Sequence, residues 1–284
     1  MKTYNDIYLE TRNALRASGI EGYTLEARLL VATAAGKSVA ELLRDIKLYT
    51  TAAIDAEVQE LTRRRLAGEP VAYITGAWEF YGLPMKVTPD VLIPRMDTEL
   101  LVTTAKELLL GRKMDARILD LCCGSGCIAC ALGHELPATK LVAVDISANA
   151  LEIARENFAS NRLGSRAICI QADATSSPPM SIGQFDMIVS NPPYIASTEI
   201  MTLDASVRDY EPIWALDGGE DGYRFYKAII KYWKSLLRPG GFLLFEVGEG
   251  QAATVKDMLS SAGFRAVGSR LDTLNIERVV IGKM

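Results

Sequence analysis

Asp120-Leu121-Cys122-Cys123-Gly124-Ser125-Gly126 is the stretch on which the reading of this chain turns. A short apolar run, residues 117–121, leads into it, and a helical pattern over residues 126–135 leads out. Strand, small-residue turn, helix is the opening of a βαβ unit. Small residues let a ligand approach the backbone closely, and the start of the following helix leaves N–H groups unpaired. The spacing does not match the dinucleotide fingerprint, because Cys-Ile-Ala occupies positions 127–129 where a third glycine is required. By itself the turn reads equally well as a ligand loop and as a plain tight turn.

Downstream the alternation continues. Strands are predicted over residues 140–144, 166–170, 185–190 and 242–247, with helices over 147–161 and 222–237. Arg238-Pro239-Gly240-Gly241 is predicted to close the second of these helices. A further helix and two strands near 264–270 and 276–281 complete the pattern. Such alternation implies an α/β fold with a parallel sheet, whose right-handed crossovers place a ligand crevice at the strand C-terminal ends. Upstream, residues 1–70 read as a small domain of about four helices. Ile54, Val58 and Leu61 fall at helical spacing, and Gly68 and Pro70 end that segment. Residues 71–90 read as a β-hairpin linker, because Tyr73, Ile74, Trp78, Phe80 and Tyr81 favour strand and Gly76, Gly82 and Pro84 punctuate them. Residues 91–284 are the α/β domain.

Composition excludes several function classes. With 284 residues, 49% of them hydrophobic and 23% charged, the chain is long and apolar enough to bury a core. A net charge of -4 implies no large basic field, so stable nucleic-acid binding is not expected. The single histidine, His134, rules out a multi-histidine metal site and is expected on a helix surface. Residues 1–20 carry Asp6, Glu10 and Arg12 and lack a signal-peptide core, and no uncharged apolar run is long enough to span a membrane. A cytoplasmic monomer is expected.

The residues at the predicted strand ends carry the chemistry. Asp145 ends the second strand about 20 residues past the glycine turn, where a carboxylate suits a ribose diol. Ser147 is the better N-cap for the helix that follows, which frees Asp145 for a ligand. Asp173, after the third strand, is placed to reach the base of a nucleoside. Asn191-Pro192-Pro193-Tyr194 follows the fourth strand at once. The two prolines end the strand and stiffen the backbone. The Asn191 side-chain carbonyl and the Pro192 backbone carbonyl can then accept the two hydrogens of a planar NH₂ group, with Tyr194 over its face. Four of the five cysteines, Cys122, Cys123, Cys127 and Cys130, lie within nine positions of one another. Small apolar packing is the expected reading for them, with a metal or redox site as the competitor; no metal is expected.

Asp120 to Gly126, Asp145, Asp173 and the tetrapeptide together resemble the amino-methylating members of the S-adenosylmethionine-dependent methyltransferases. Gly68-Glu-Pro-Val-Ala-Tyr-Ile-Thr-Gly76, Glu79-Phe-Tyr-Gly82, Leu92-Ile-Pro-Arg95, Thr98-Glu99, Tyr210-Glu-Pro212 and Ala215-Leu-Asp-Gly-Gly-Glu-Asp-Gly222 narrow the resemblance to the release factor glutamine methyltransferase family, also called HemK or PrmC. The resemblance runs over nearly the whole chain. It implies a Rossmann-like class I methyltransferase sheet of seven strands, the last antiparallel. It implies S-adenosyl-L-methionine as methyl donor, S-adenosyl-L-homocysteine as product, and the glutamine of the Gly-Gly-Gln loop of peptide chain release factors as acceptor. By the same resemblance Cys122, Cys123, Gly124, Ser125 and Gly126 would bind the methionine part of the cofactor, Asp145 its ribose, and Asp173 and Ala174 its adenine. Asn191, Pro192, Pro193 and Tyr194 would hold the glutamine amide, and the helical domain would grip the release factor. The chain departs from the family twice, with Cys122 where glycine is usual and Ala174 where an aromatic residue is frequent.

Three other readings remain open at this level. One is an amino-methyltransferase acting on adenine or guanine in nucleic acid. Another is a binding protein whose cofactor site Cys122 blocks. The third is the metal or redox site of the cysteines.

Overall fold

The computed structural model describes residues 1–111 and 115–284. In chain order its first elements are α1 (Tyr4–Ala17), α2 (Tyr23–Ala34), α3 (Val39–Arg44), α4 (Ala52–Leu66), α5 (Val71–Thr75), β1 (Ala77–Phe80), β2 (Leu83–Lys86), α6 (Thr98–Leu109), β3 (Arg117–Leu121) and α7 (Cys127–Glu135). There follow β4 (Lys140–Asp145), α8 (Ala148–Ser160), β5 (Ala167–Gln171), β6 (Phe185–Ser190), α9 (Ala205–Arg208), α10 (Arg224–Tyr232), β7 (Leu237–Glu246), α11 (Ala252–Ser261), β8 (Arg265–Leu271) and β9 (Glu277–Lys283). These make two compact units, Met1–Ala77 with Asp204–Tyr210 and Trp78–Leu203 with Glu211–Met284.

The first unit is helical, as its sequence pattern predicts. Thr3 and Ser38 close capping boxes at the starts of α1 and α3, and Thr51 caps α4. Ile7, Leu15, Leu30, Leu42 and Val58 form its buried interior. The basic run at the end of α4 is neutralised inside the unit: Arg63 pairs with Glu60, Arg64 with Glu69 and Arg65 with Glu26. Two differences from the sequence reading appear here. Residues 71–75 form the helix α5 rather than strand, because Pro70 presets its entry and Val71, Ala72, Tyr73 and Ile74 all bury. The hairpin therefore begins at Ala77. The segment 204–210 also joins this unit, where the Tyr210 hydroxyl donates to the Ala67 carbonyl at 3.1 Å.

The second unit is built on a seven-stranded sheet in the order β5-β4-β3-β6-β7-β9-β8. The pairs from β5 to β7 are parallel, and β9 runs antiparallel to both β7 and β8. Strand interiors alternate between two apolar layers. Ile118, Met187 and Leu244 face α6, α7 and α8, while Leu119, Ile188 and Leu243 face α10 and α11. A parallel sheet covered on both faces has this near-continuous apolar character. The chain reverses its direction of growth between β3 and β6, which opens a crevice at their C-terminal ends.

Two further elements depart from expectation. Arg238-Pro239-Gly240-Gly241 lies within β7, not in a helix-closing loop. It forms an irregularity against β6, where the register jumps from Phe185↔Leu237 to Met187↔Phe242, and Pro239 sits there because it has no N–H to donate to a ladder. The helix α6 lies where the sequence pattern assigned no element. Its Val102, Thr103 and Thr104 are β-branched and weaken the local helix signal, and burial of Leu101, Val102, Ala105 and Leu109 against the sheet compensates. His134 is exposed on the last turn of α7, as predicted.

Candidate active site

The C-terminal ends of β3, β4, β5 and β6 surround a cavity of about 360 Å³. That volume lies in the range of small-molecule sites. Of the residues singled out from sequence, Cys122, Gly124, Asp145, Asp173, Ala174, Asn191 and Pro193 line it. Cys123, Ser125, Gly126, Pro192 and Tyr194 do not.

The glycine loop is held by the Asp145 side chain. Asp145 accepts from the Gly124 N–H and the Ser147 N–H, both at 2.9 Å, so one carboxylate joins the turn after β3 to the turn after β4. Ser147 caps α8 by accepting from the Ala150 N–H at 3.2 Å. Burial pushes the Asp145 carboxyl above its usual range, against the N–H groups of Ser147, Gly124 and Ile146. Each carboxylate oxygen keeps a lone pair for a further donor. Ser125 and Gly126 lie under the loop. The Ser125 carbonyl accepts from the buried Asn157 Nδ2 at 2.9 Å. Gly126 has φ 75°, and a Cβ there would stand 2.8 Å from the Phe158 ring, so only glycine fits.

Cys122 occupies a left-handed backbone position, φ 59°, at a cost of about 1–2 kcal/mol for a residue with a Cβ. Burial raises all five thiols and keeps them protonated. They therefore act as small apolar groups, and Cys123, Cys127 and Cys130 pack in the layer beneath α7. Among the described residues no three His, Cys, Asp or Glu side chains converge on a possible metal position.

Asp173 presents its carboxylate at the cavity but is engaged locally. It accepts from the N–H and hydroxyl of Thr175, each at 2.7 Å, and from the Ser176 hydroxyl at 3.1 Å. Burial opposes ionisation, but these donors outweigh it and hold the carboxyl below its usual range. Ala174 is buried, and its carbonyl accepts from the Trp233 indole at 3.0 Å. Around it stand Ile146, Trp214 and Phe225, apolar walls of the same cavity that sequence reasoning did not assign. They supply flat and apolar surface that position 174 lacks. The signal that could have found Trp214 is its place between Tyr210-Glu-Pro212 and Ala215.

At the other end, Asn191 follows β6 directly. Its Nδ2 donates to the Thr98 hydroxyl at 3.2 Å. The Tyr194 carbonyl accepts from Gln251 Nε2 at 2.9 Å. Burial raises the Tyr194 phenol to about 12, so it stays protonated. The chain after Tyr194 is pinned beside residues 215–219, with the Ile195 N–H donating to the Leu216 carbonyl and the Gly218 N–H to the Ile195 carbonyl. A Cβ on Gly222 would stand 2.5 Å from the Tyr194 carbonyl oxygen, which explains the glycine there. Arg95 and Glu99 do not line the cavity. Arg95 pairs with the buried Glu211, and Glu99 accepts from the Tyr81 N–H at 2.8 Å, holding the hairpin turn.

This arrangement can be set beside known proteins. Residues 6–76 match the family described as PrmC N-terminal domain, and residues 96–206 match the methyltransferase small domain. A release factor glutamine methyltransferase of Geobacter sulfurreducens is 40% identical over 274 residues, covering 96% of this chain and 94% of that protein. The chain belongs to the release factor glutamine methyltransferase family. The Bradyrhizobium diazoefficiens protein of the same name is 42% identical over 250 residues, covering 87% of this chain and 83% of that one. Among solved structures, the hMettl16 catalytic domain bound to a MAT2A 3'UTR hairpin superposes with a TM-score of 0.59 at 18% identity, over 78% of this chain and 81% of that chain. That likeness shows the class I methyltransferase fold. Membership and fold together carry a methyl donor of the S-adenosylmethionine type.

Proposed function

We propose that this chain transfers a methyl group from S-adenosyl-L-methionine to the side-chain amide nitrogen of the Gly-Gly-Gln glutamine in peptide chain release factors, in the cytoplasm. The observation that carries this is Asn191-Pro192-Pro193-Tyr194 at the end of β6, beside the cavity, in a chain related to named release factor glutamine methyltransferases over nearly its whole length.

The cofactor fits what the residues offer. Asp145 keeps lone pairs for two ribose hydroxyls, each charge-assisted bond contributing about 1.5–3 kcal/mol. Ile146, Ala174 and Phe225 give apolar walls for an adenine, and Cys122 and Gly124, the loop residues that line the cavity, would hold the methionine part. When bound, the sulfonium supplies an electrophilic methyl group. An amide nitrogen is a poor nucleophile because its lone pair is delocalised. The Asn191 carbonyl and the Pro192 carbonyl accept its two N–H bonds and aim the nitrogen at the donor end of the cavity. Orientation of this kind lowers a barrier by as much as ~7–11 kcal/mol. The same two oxygens stabilise positive charge as it develops on the nitrogen. The nitrogen gains the methyl group and gives one proton to solvent, and the donor leaves as the thioether S-adenosyl-L-homocysteine. Tyr194, neutral and held through Gln251, covers the face of the amide.

The helical unit is the part that would recognise the release factor, because a tetrapeptide pocket alone cannot single out one glutamine. The deciding experiment is the mass of a purified release factor after incubation with this chain and S-adenosylmethionine, with adenine-containing DNA in parallel. One added methyl on the Gly-Gly-Gln glutamine is expected. Methylation of the DNA alone would replace this reading with that of a nucleic-acid amino-methyltransferase.

A further inference from the structure

Glu246, the last residue of β7, is a carboxylate that the reaction as described does not use. It is 2% exposed, and its Oε2 has no hydrogen-bond partner. A buried carboxylate oxygen without a donor is unusual and calls for a reason. Ser190 pairs with Phe245 across β6 and β7, which brings the next residues, Asn191 and Glu246, side by side. Thr98, the first residue of α6, Arg278 and Asn191 favour the ionised form of the carboxylate. Thr98 is itself buried and accepts from Asn191 Nδ2 at 3.2 Å. A hydroxyl that accepts one hydrogen bond keeps its own hydrogen to donate, and Thr98 is the neighbour that most favours the ionised form of Glu246.

We infer that Glu246 is a positioning residue: acting through Thr98, it turns the Asn191 amide so that Nδ2 faces the protein and Oδ1 faces the crevice. A primary amide has one donating and one accepting edge. Only the accepting edge can take an N–H from a substrate amide. An ionised Glu246 accepts only, so it orders the chain Asn191 N–H to Thr98 O–H to carboxylate, and charge strengthens that order. A protonated Glu246 can donate to the Thr98 oxygen. Thr98 then donates to Asn191 Oδ1, and the amide turns its donating edge to the crevice.

Burial raises Glu246 to about 7. Thr98, Arg278 and Asn191 lower it, and Asp97 raises it. The Tyr194 and Tyr226 phenols and the Cys127 thiol also face it and are neutral, all held well above their usual values. The ionised form therefore dominates above about pH 7 and the protonated form below it, so kcat falls as the pH drops through that value.

The inference rests on the methyl-transfer reading, and the test separates the two. Methylation of a purified release factor is followed from about pH 6 to about pH 9 with the full-length chain, Glu246→Gln, Thr98→Ser and Thr98→Val. Wild-type kcat is expected to level off above about pH 7 and to fall about tenfold per pH unit well below it. Glu246→Gln is expected to lose about 10- to 100-fold in kcat on the alkaline side and to lack the acid limb. Its S-adenosylmethionine affinity, by calorimetry, stays within about twofold of wild type, whereas damage to the cofactor end would move it. Thr98→Ser keeps the limb and Thr98→Val loses it. A wild type with no acid limb, a limb unchanged in Glu246→Gln, or equal profiles for the two Thr98 variants would overturn the inference. If Glu246→Gln does not fold, the wild-type profile and the Thr98 pair decide. A wild type that transfers no methyl to the release factor at any pH overturns the methyl-transfer reading itself, and the inference falls with it.

Discussion

The two ends of the cavity are built on different principles. At the glycine loop, the groups that shape the site are backbone N–H groups gathered by Asp145, and Gly126 packs against Phe158. At the tetrapeptide, side chains do more of the work: Asn191 donates to Thr98, and Gln251 holds the Tyr194 carbonyl. Each end also hides a carboxylate. Asp120, in β3, is fully buried, accepts from the Ala129 N–H at 3.2 Å and is raised by burial to about 8. Glu246 follows Phe245, the β7 partner of Ser190, and so lies beside Asn191. A loop shaped by backbone N–H groups tolerates a side chain such as that of Cys122. A receptor made of side chains depends on every member.

The largest effect is expected at the tetrapeptide. Asn191→Ala should lower kcat by about 10²–10³-fold while leaving S-adenosylmethionine affinity near wild type, because the proposed acceptor for the substrate amide is lost. Calorimetry alongside turnover checks this, and normal turnover would end the assignment. At the loop, Asp145→Ala should do the opposite, weakening cofactor binding by about 10- to 100-fold with a smaller effect on the chemical step. A kcat loss without an affinity loss would mean that the carboxylate serves only the loop.

Gly126→Ala tests whether packing under the loop is as tight as it is drawn. The new Cβ meets the Phe158 ring and requires a strained φ, so a stability loss of about 1–3 kcal/mol is expected, with a Tm lower by about 3–10 °C. The buried Asp120 gives a pH-dependent version. Its proton leaves at about 8 in the folded chain and near 4 in the unfolded one, so the folded state holds the extra proton between those values. Its contribution to stability is therefore greatest at low pH and falls as the pH rises toward about 8. Asp120→Asn should gain Tm relative to wild type as the pH is raised from about 6 to about 8.5; parallel curves would show that Asp120 ionises freely. The smallest effect is expected for Cys122→Gly. It relieves a left-handed residue but frees the unfolded chain, and these terms nearly cancel. Stability should move by less than about 1 kcal/mol, and cofactor affinity should rise a few-fold where the thiol narrows the cavity.

Much of the architecture is legible in the amino-acid sequence. The βα alternation announced the sheet, the glycine turn and Asp145 marked one end of the cavity, and the tetrapeptide marked the other. What misled were positions where local preference met a stronger tertiary demand. Residues 71–75 carry β-favouring side chains and bury as a helix, and Arg238-Pro239-Gly240-Gly241 looks like a helix stop and lies in a strand. What was missed lay far away in sequence. Thr98, Glu246 and Trp214 belong to segments 93, 55 and 23 positions from Asn191, and no local pattern links them to it.

The sequence by itself determined the fold class, the chemical type of the site and the family, because strand and helix periods and contiguous motifs are short-range properties written in order along the chain. How the site is supported belongs to the fold: Gly126 answers to a phenylalanine ring, Asp145 ties two loops together, and the β6–β7 pairing brings buried Glu246 beside Asn191. Those are long-range contacts, set by how strands order in the sheet and which faces pack, and they exist only once the chain has folded.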